Sequence, residues 1–182
     1  MACRPVLPRP GKYLFSTVCC ALAVALPGTG HSQQQWDSYG GSPGGGHFSP
    51  LAQITPANVT ELELAWEHRS GDYRPAREGA QGRTYGDADG PRPQSALQVT
   101  PIVVGNTLYY CTPFNRVFAL DAASGRERWV YDPGVDTDPV MLTNCRGVSS
   151  WQNPKPTGRA CDHRIFTGTL DGRLIALDGA TG

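Results

Sequence analysis

Several things are scarce in this sequence, and each shortage closes off a class of protein. There is no excess of charge. Sixteen Lys and Arg balance 16 Asp and Glu over 182 residues, so nothing here forms an electrostatic footprint for nucleic acid. None of the six cysteines stands in a CxxC or CxxCH spacing, which removes a zinc pair and an attached haem. Histidine is equally sparse, and His47 and His68 have no second ligand at a suitable spacing, so no metal is assigned to them. No apolar run reaches the ~20 residues of a comfortable membrane span, and no transmembrane bundle is encoded. What remains is a turn-rich composition, 39% hydrophobic with 22 glycines and 16 prolines, which suits a globular chain rather than a disordered one.

The longest apolar run, YLFSTVCCALAVAL (Tyr13 to Leu26), follows a start carrying Arg4, Arg9 and Lys12 and precedes the small residues of PGTGHS. A basic start, a short apolar stretch and a small-residue exit describe a secretory leader over residues 1–32, with an uncleaved anchor as the alternative. Val18 precedes Cys19 where a lipoprotein signal asks for a small residue. Removal of the leader takes three basic and no acidic residues, so residues 33–182 carry a small net negative charge.

Export changes how the cysteines read, because an oxidising compartment lets two of Cys111, Cys145 and Cys161 pair. Cys145 and Cys161 close a short loop with Pro154, Pro156 and Gly158, which makes them the expected couple. Cys111, in a strand-like run, is then a small buried hydrophobe.

From Gln33 to about Ser95 the chain has little periodicity. Gly71 to Gln94 reads as a long surface loop, a kind often functional. After Pro101 the pattern sharpens. PIVV and TLYYC flank Gly105-Asn106, a two-residue hairpin signal, and RVFALD and RERWVY follow across further tight turns. Four short strands with no helix between them are the unit of a β-propeller blade. A second unit predicts strands in RGVSSW, HRIFTGT and RLIALD.

The phrase ALDAASG, Ala119 to Gly125, returns as ALDGATG, Ala176 to Gly182. Such a phrase turns a strand through Asp and Gly, and Trp129 on the next strand then has a flat face to bury against a neighbouring sheet. Trp66, in LELAWEHRSGD, marks a fainter third copy. The second full copy reaches Gly182 before any tryptophan-bearing strand. The chain is therefore expected to be the N-terminal part of a longer propeller, or a truncated copy of one, with a last blade that is not complete.

These stretches resemble the pyrroloquinoline quinone (PQQ)-dependent dehydrogenases. The resemblance is carried by WDSYGG…FSPLAQITPANVTELELAW, QVTPIVVGNTLYYCTPFNRVFALDAASGRERW, NCRGVSSW and RIFTGTLDGRLIALDGATG. It implies an all-β fold, a partial β-propeller of the eight-bladed quinoprotein type, with four-stranded antiparallel blades joined by tryptophan-docking motifs. It implies a periplasmic enzyme that oxidises an alcohol group with PQQ and calcium and passes electrons to a quinone or cytochrome. Arg146, in CRGVSSW, matches an arginine that pairs with the cofactor's carboxylates, and a planar guanidinium suits a tricarboxylate. A surface arginine paired with Asp136 or Asp138 is the plainer role. Gln98, in QVTP, falls where relatives often carry a glutamate near the quinone, and a strand-edge glutamine is its plainer role. Trp151 matches a tryptophan of the alcohol-oxidising relatives and a histidine of the glucose-oxidising ones, with packing as the simpler function.

Departures from the family refine these expectations. Methanol- and ethanol-type members carry adjacent cysteines before the arginine motif, whereas this chain has only Cys145 there. That points to the glucose, quinate and polyol branch, with a sugar or polyol as substrate. Calcium ligands and the catalytic base are expected beyond Gly182, so no catalytic or metal residue is assigned. The polypeptide alone is expected to reduce no dye acceptor with glucose. A non-catalytic propeller serving as an assembly scaffold of the cell envelope stands as the alternative.

Overall fold

The structure is a computed structural model that describes residues 36–42, 44–73, 95–137 and 142–182. The leader and nearly all of the Gly71 to Gln94 loop lie outside the described residues.

Among the described residues, nine strands form three sheets. β2 (Ile102–Val104), β3 (Thr107–Cys111), β4 (Val117–Asp121) and β5 (Glu127–Tyr131) make a four-stranded antiparallel sheet in sequence order. These are the four strands predicted for the first blade. β7 (Ser149–Gln152), β8 (His163–Gly168) and β9 (Leu174–Asp178) make a three-stranded antiparallel sheet where the second unit was expected. β1 (Ser95–Leu97) and β6 (Thr143–Cys145) pair in parallel, a ribbon the sequence pattern did not predict.

Turn chemistry explains the meander. Gly105 opens the β2–β3 hairpin at φ 58°, where a side chain would be strained. At the end of β4, Asp121 Oδ1 accepts hydrogen bonds from the amides of Ala123 and Ser124 and from the Ser124 hydroxyl. Gly125 then takes φ 69°. The second copy repeats each contact. Asp178 Oδ1 accepts from the amides of Ala180 and Thr181 and from the Thr181 hydroxyl, and Gly182 takes φ 78°. The recurring phrase is thus an Asx-type turn with a hydroxyl and a glycine at fixed offsets.

β4 is buried on both faces, so its side chains serve two cores. Val117 and Ala119 join Ile102, Tyr109, Trp129, Ile165 and Leu177 in a core shared with the three-stranded sheet. Phe118 and Leu120 face the other way, into a cluster with Tyr110 and Trp66. Sheets stacked face to face in chain order are the arrangement of propeller blades. Asn115 ties the two sheets at their turns. It is buried at φ 62°, and its Oδ1 accepts the Leu170 amide at 2.8 Å.

The expected Cys145–Cys161 pairing is overturned. The disulfide joins Cys111 to Cys145, with a Cα–Cα distance of 5.8 Å, and Cys161 is a free thiol. Cys111 is buried, as expected, but as a crosslink. The physical reason lies in where the chain travels between the cysteines. Cys145 ends β6 with its side chain in the shared core beside Cys111. Cys161 instead sits in the β7–β8 loop at φ 65°, its amide bound to Asp178 Oδ2.

Candidate functional site

Two of the three candidate residues come together at the end of the parallel ribbon. Ser95, Ala96 and Leu97 stand opposite Thr143, Asn144 and Cys145, which brings Gln98 and Arg146 out side by side at the C-terminal ends of β1 and β6. The Thr100 amide donates to the Arg146 carbonyl at 3.0 Å, and Asn144 Nδ2 donates to Gln98 Oε1 at 3.5 Å. A methyl group on Gly147 would lie 3.4 Å from the Thr100 carbonyl oxygen, in ordinary contact.

Burial divides the ribbon by function. Thr143 and Cys145 are buried, whereas Gln98 and Arg146 are exposed. The Arg146 guanidinium makes no hydrogen bond or ion pair among the described residues. The paired role considered for it with Asp136 is thus not adopted, and Asp138 lies outside the described residues. Beneath, the Thr143 hydroxyl is fully buried without a partner among the described residues.

Trp151 stands apart. It lies on β7, opposite Arg164, whose guanidinium carbon is 5.6 Å from the centroid of its ring. Its side chain is exposed rather than packed into a core, and no described contact links it to Gln98 or Arg146.

Other polar groups that could be mistaken for a site are committed elsewhere. His68 Nδ1 lies 2.6 Å from the Tyr110 hydroxyl, and its ring meets Phe118 edge-on. A cavity of about 390 Å³ between the blades is lined by Tyr109, Arg128, Arg159, Asp162, His163 and Asp178. Its acids are occupied: the Asn153 side-chain amide is the main cause that brings Asp162 down to about 2, and the Cys161 amide lowers Asp178. Burial holds the His163 imidazole below its ordinary value. Among the described residues, no group of three or more His, Cys, Asp or Glu could hold a metal.

An uncommitted guanidinium beside a carboxamide, on a surface backed by buried strands, is a donor set for a planar anion carrying carboxylates. The residues present therefore fit one edge of PQQ. Asn144 was not anticipated in this role. Its only signal in the sequence is a polar residue between Thr143 and Cys145, and the pairing that brings it to Gln98 spans a whole blade.

Comparison with known proteins agrees with this architecture. A family model described as glucose/ethanol/alcohol dehydrogenase, beta-propeller domain, matches residues 36–182. The quinoprotein glucose dehydrogenase of Escherichia coli K12 is 40% identical over 157 residues, covering 83% of this chain and 18% of that protein. Quinoprotein glucose dehydrogenase A of Acinetobacter calcoaceticus is 34% identical over 173 residues, covering 88% of this chain and 20% of the relative. Among solved structures, the quinohemoprotein alcohol dehydrogenase of Comamonas testosteroni superposes with a TM-score of 0.60 at 29% identity, over 82% of this chain and 18% of that one. The chain spans about a fifth of the length of the curated relatives it matches.

Proposed function

The chain belongs to the PQQ β-propeller family of glucose, ethanol and alcohol dehydrogenases, and on that premise we propose that it contributes the opening blades of an exported dehydrogenase oxidising an alcohol group of a sugar or polyol. Electrons pass from that reaction to a quinone or cytochrome acceptor. The observation that carries this reading is the guanidinium of Arg146, uncommitted among the described residues, beside the Gln98 carboxamide at the end of one parallel ribbon.

PQQ, when bound, supplies the two-electron acceptor that no side chain offers. This chain's part is to bind and orient. Arg146 donates paired hydrogen bonds to carboxylate oxygens, and Gln98 presents a neutral amide where a carboxylate would repel an anion. The calcium ligands and the base that removes the hydroxyl proton are assigned to no residue of this chain. Export is supported by the leader-like residues 1–32 and by a buried disulfide, which oxidising compartments maintain. The sugar and polyol preference is supported by the absence of an adjacent cysteine pair before Arg146 and by the glucose dehydrogenases among the relatives.

The test is a donor panel on the whole reading frame that carries this chain, supplied with PQQ and calcium, with a dye as acceptor. Glucose, glycerol and quinate are expected to drive reduction well ahead of ethanol or 1-butanol. Oxidation of the simple alcohols with the polyols untouched would overturn the substrate class, and failure to bind PQQ would favour a scaffold. Arg146→Ala is expected to weaken PQQ retention at least about tenfold, the loss of a charge-assisted pair.

A further inference from the structure

The two residues read as cofactor contacts directly follow the strands of the least supported sheet among the described residues. β1 and β6 have three residues each and pair only with one another among the described strands. Two-stranded pairs are marginal in water, and parallel ones are weaker per residue than antiparallel ones. The ribbon also carries a cost of its own in the unpartnered, buried Thr143 hydroxyl.

What fixes it is covalent. Cys145, the residue before Arg146, is bonded to Cys111, the last residue of β3. Cys111 is fully buried and pairs with Val117 in the four-stranded sheet, whose β3 and β4 hold most of the first blade's core. The crosslink therefore attaches a weak ribbon, one residue from its exposed cation, to the most thoroughly packed strands available.

We propose that the Cys111–Cys145 disulfide is a positioning bond that holds Arg146 and Gln98 in place for an anionic quinone cofactor, and that its loss frees the ribbon while the blade stays folded. This rests on the reading of Gln98 and Arg146 given above. Its physical basis is preorganisation: a guanidinium whose backbone is already fixed loses less freedom when it meets a carboxylate. Neither cysteine touches the cofactor in this scheme, and both act through Arg146.

The parent chain and Cys111→Ala/Cys145→Ala are compared by amide hydrogen exchange and by equilibrium dialysis against PQQ, each with and without Arg146→Ala. Paired substitution is used instead of a thiol reductant because thiols add to quinones. In the disulfide-free variant, exchange at the Thr100 and Cys145 amides is expected to rise at least about tenfold more than at Tyr109, Ala119 and Ile165, which share only the rise that comes with global destabilisation. The PQQ dissociation constant is expected to rise about tenfold where Arg146 is present and to change little in the Arg146→Ala background. Unchanged exchange in β6, or an equal rise across β3, β4 and β8, overturns the tether. An equal loss of PQQ affinity in both backgrounds signals general loosening and overturns the positioning role. PQQ retention by Arg146→Ala equal to the parent's, nil retention included, sinks the cofactor-contact reading instead, and the exchange data still decide whether the disulfide holds the ribbon.

Discussion

The indole N–H of Trp129 donates to the carbonyl oxygen of Gly179 across the two blades, at 3.1 Å. Gly179 follows Asp178 in the second copy of the repeated phrase, and the Tyr109 hydroxyl donates to the same oxygen at 2.8 Å. The first copy receives a tryptophan in the same way, since Trp66 Nε1 donates to the Ala122 carbonyl at 3.3 Å. Each phrase is therefore a receptor for a tryptophan that precedes it in the chain, and docking combines burial of a large ring with one directional bond. Trp129→Ala is expected to destabilise the chain by about 3–5 kcal/mol through the cavity it leaves. Trp129→Phe keeps most of the packing and forfeits the bond, at about 1 kcal/mol. Denaturant unfolding of the two variants checks the order, and equal losses would show that the hydrogen bond contributes nothing.

Glycines at the same backbone angle differ in what surrounds them. Gly105 and Gly125 take φ 58° and 69°, but a methyl group on Gly105 meets open space whereas one on Gly125 would lie 2.5 Å from the Trp66 ring. Gly105→Ala should cost only the left-handed strain, about 1–2 kcal/mol. Gly125→Ala adds overpacking and should exceed it by a further ~1–3 kcal/mol. Unfolding midpoints of the two variants decide the comparison. If both glycines cost the same, the docking surface is softer than the contact distances indicate.

The repeat was legible because its information is local. Asp121, Ser124 and Gly125 act within one turn, and their copies Asp178, Thr181 and Gly182 stand at the same offsets, so spacing pointed to a repeated turn and, with the strand pattern and the family resemblance, to the fold. Strand positions β2 to β5 followed from turn residues between β-rich runs, and the segment around Trp66 could be read as a fainter copy of the repeat. The ribbon was not legible. β1 and β6 are too short for a period, and their partners are separated by a whole blade. The disulfide failed for the same reason. The short path from Cys145 to Cys161 suggested a pair, yet the Cys161 amide is engaged by Asp178 while Cys145 runs back under the end of β3. Of the candidate site, Gln98 and Arg146 converged, and their adjacency came from long-range pairing that no spacing could express.

Arg116 fastens the chain's early segment to the first blade. Its Nε donates to Asp72 Oδ2 at 2.9 Å, its Nη2 donates to Asp72 Oδ1 and to the Ser70 carbonyl, and its guanidinium lies over Phe118. The Asp72 hydrogen bonds are the main reason the Arg116 pKa is raised. Lysine cannot reproduce this fork, so Arg116→Lys is expected to behave almost as a deletion. Asp72→Asn should cost ~2 kcal/mol, because the arginine is left part-buried and short of its counter-charge. Limited proteolysis near residues 62–73 should quicken in both variants. Cleavage unchanged from the parent would mean that Trp66 alone secures the segment.

Acid should weaken the fold in two stages. His163 is held below its ordinary value by burial, so the unfolded chain takes up a proton first as the pH drops below ~6.5, and stability falls. Asp121, Asp162 and Asp171 each titrate at about 2, led by hydrogen bonds from Arg128, Asn153 and Arg173 respectively. A depressed carboxylate stabilises above its unfolded value near ~4, and that contribution is lost as the pH falls through its folded value. All signs agree, so unfolding midpoints should decline slowly below ~6.5 and more steeply between ~4 and ~2. Asp162→Asn should flatten the lower segment, since one carboxylate accepts bonds from Asn153, Thr157 and Gly158. A chain that gains stability on acidification would contradict these assignments.

The crosslink itself makes the most direct prediction. Digestion without reduction should yield one linked peptide pair joining Cys111 to Cys145, with Cys161 recovered as a thiol that alkylates in the native state, because it is only half-buried. The bond closes a loop between positions 34 residues apart. In the chain-entropy account, removing such a bond costs about 3–4 kcal/mol by releasing the unfolded state. Cys161→Ser should be neutral within about 0.5 kcal/mol, since the position keeps its backbone bond to Asp178 whatever its side chain. A Cys145–Cys161 peptide in the digest would reverse the assignment. It would also detach β6 from β3, and with it the tether proposed to hold Arg146 and Gln98 in place.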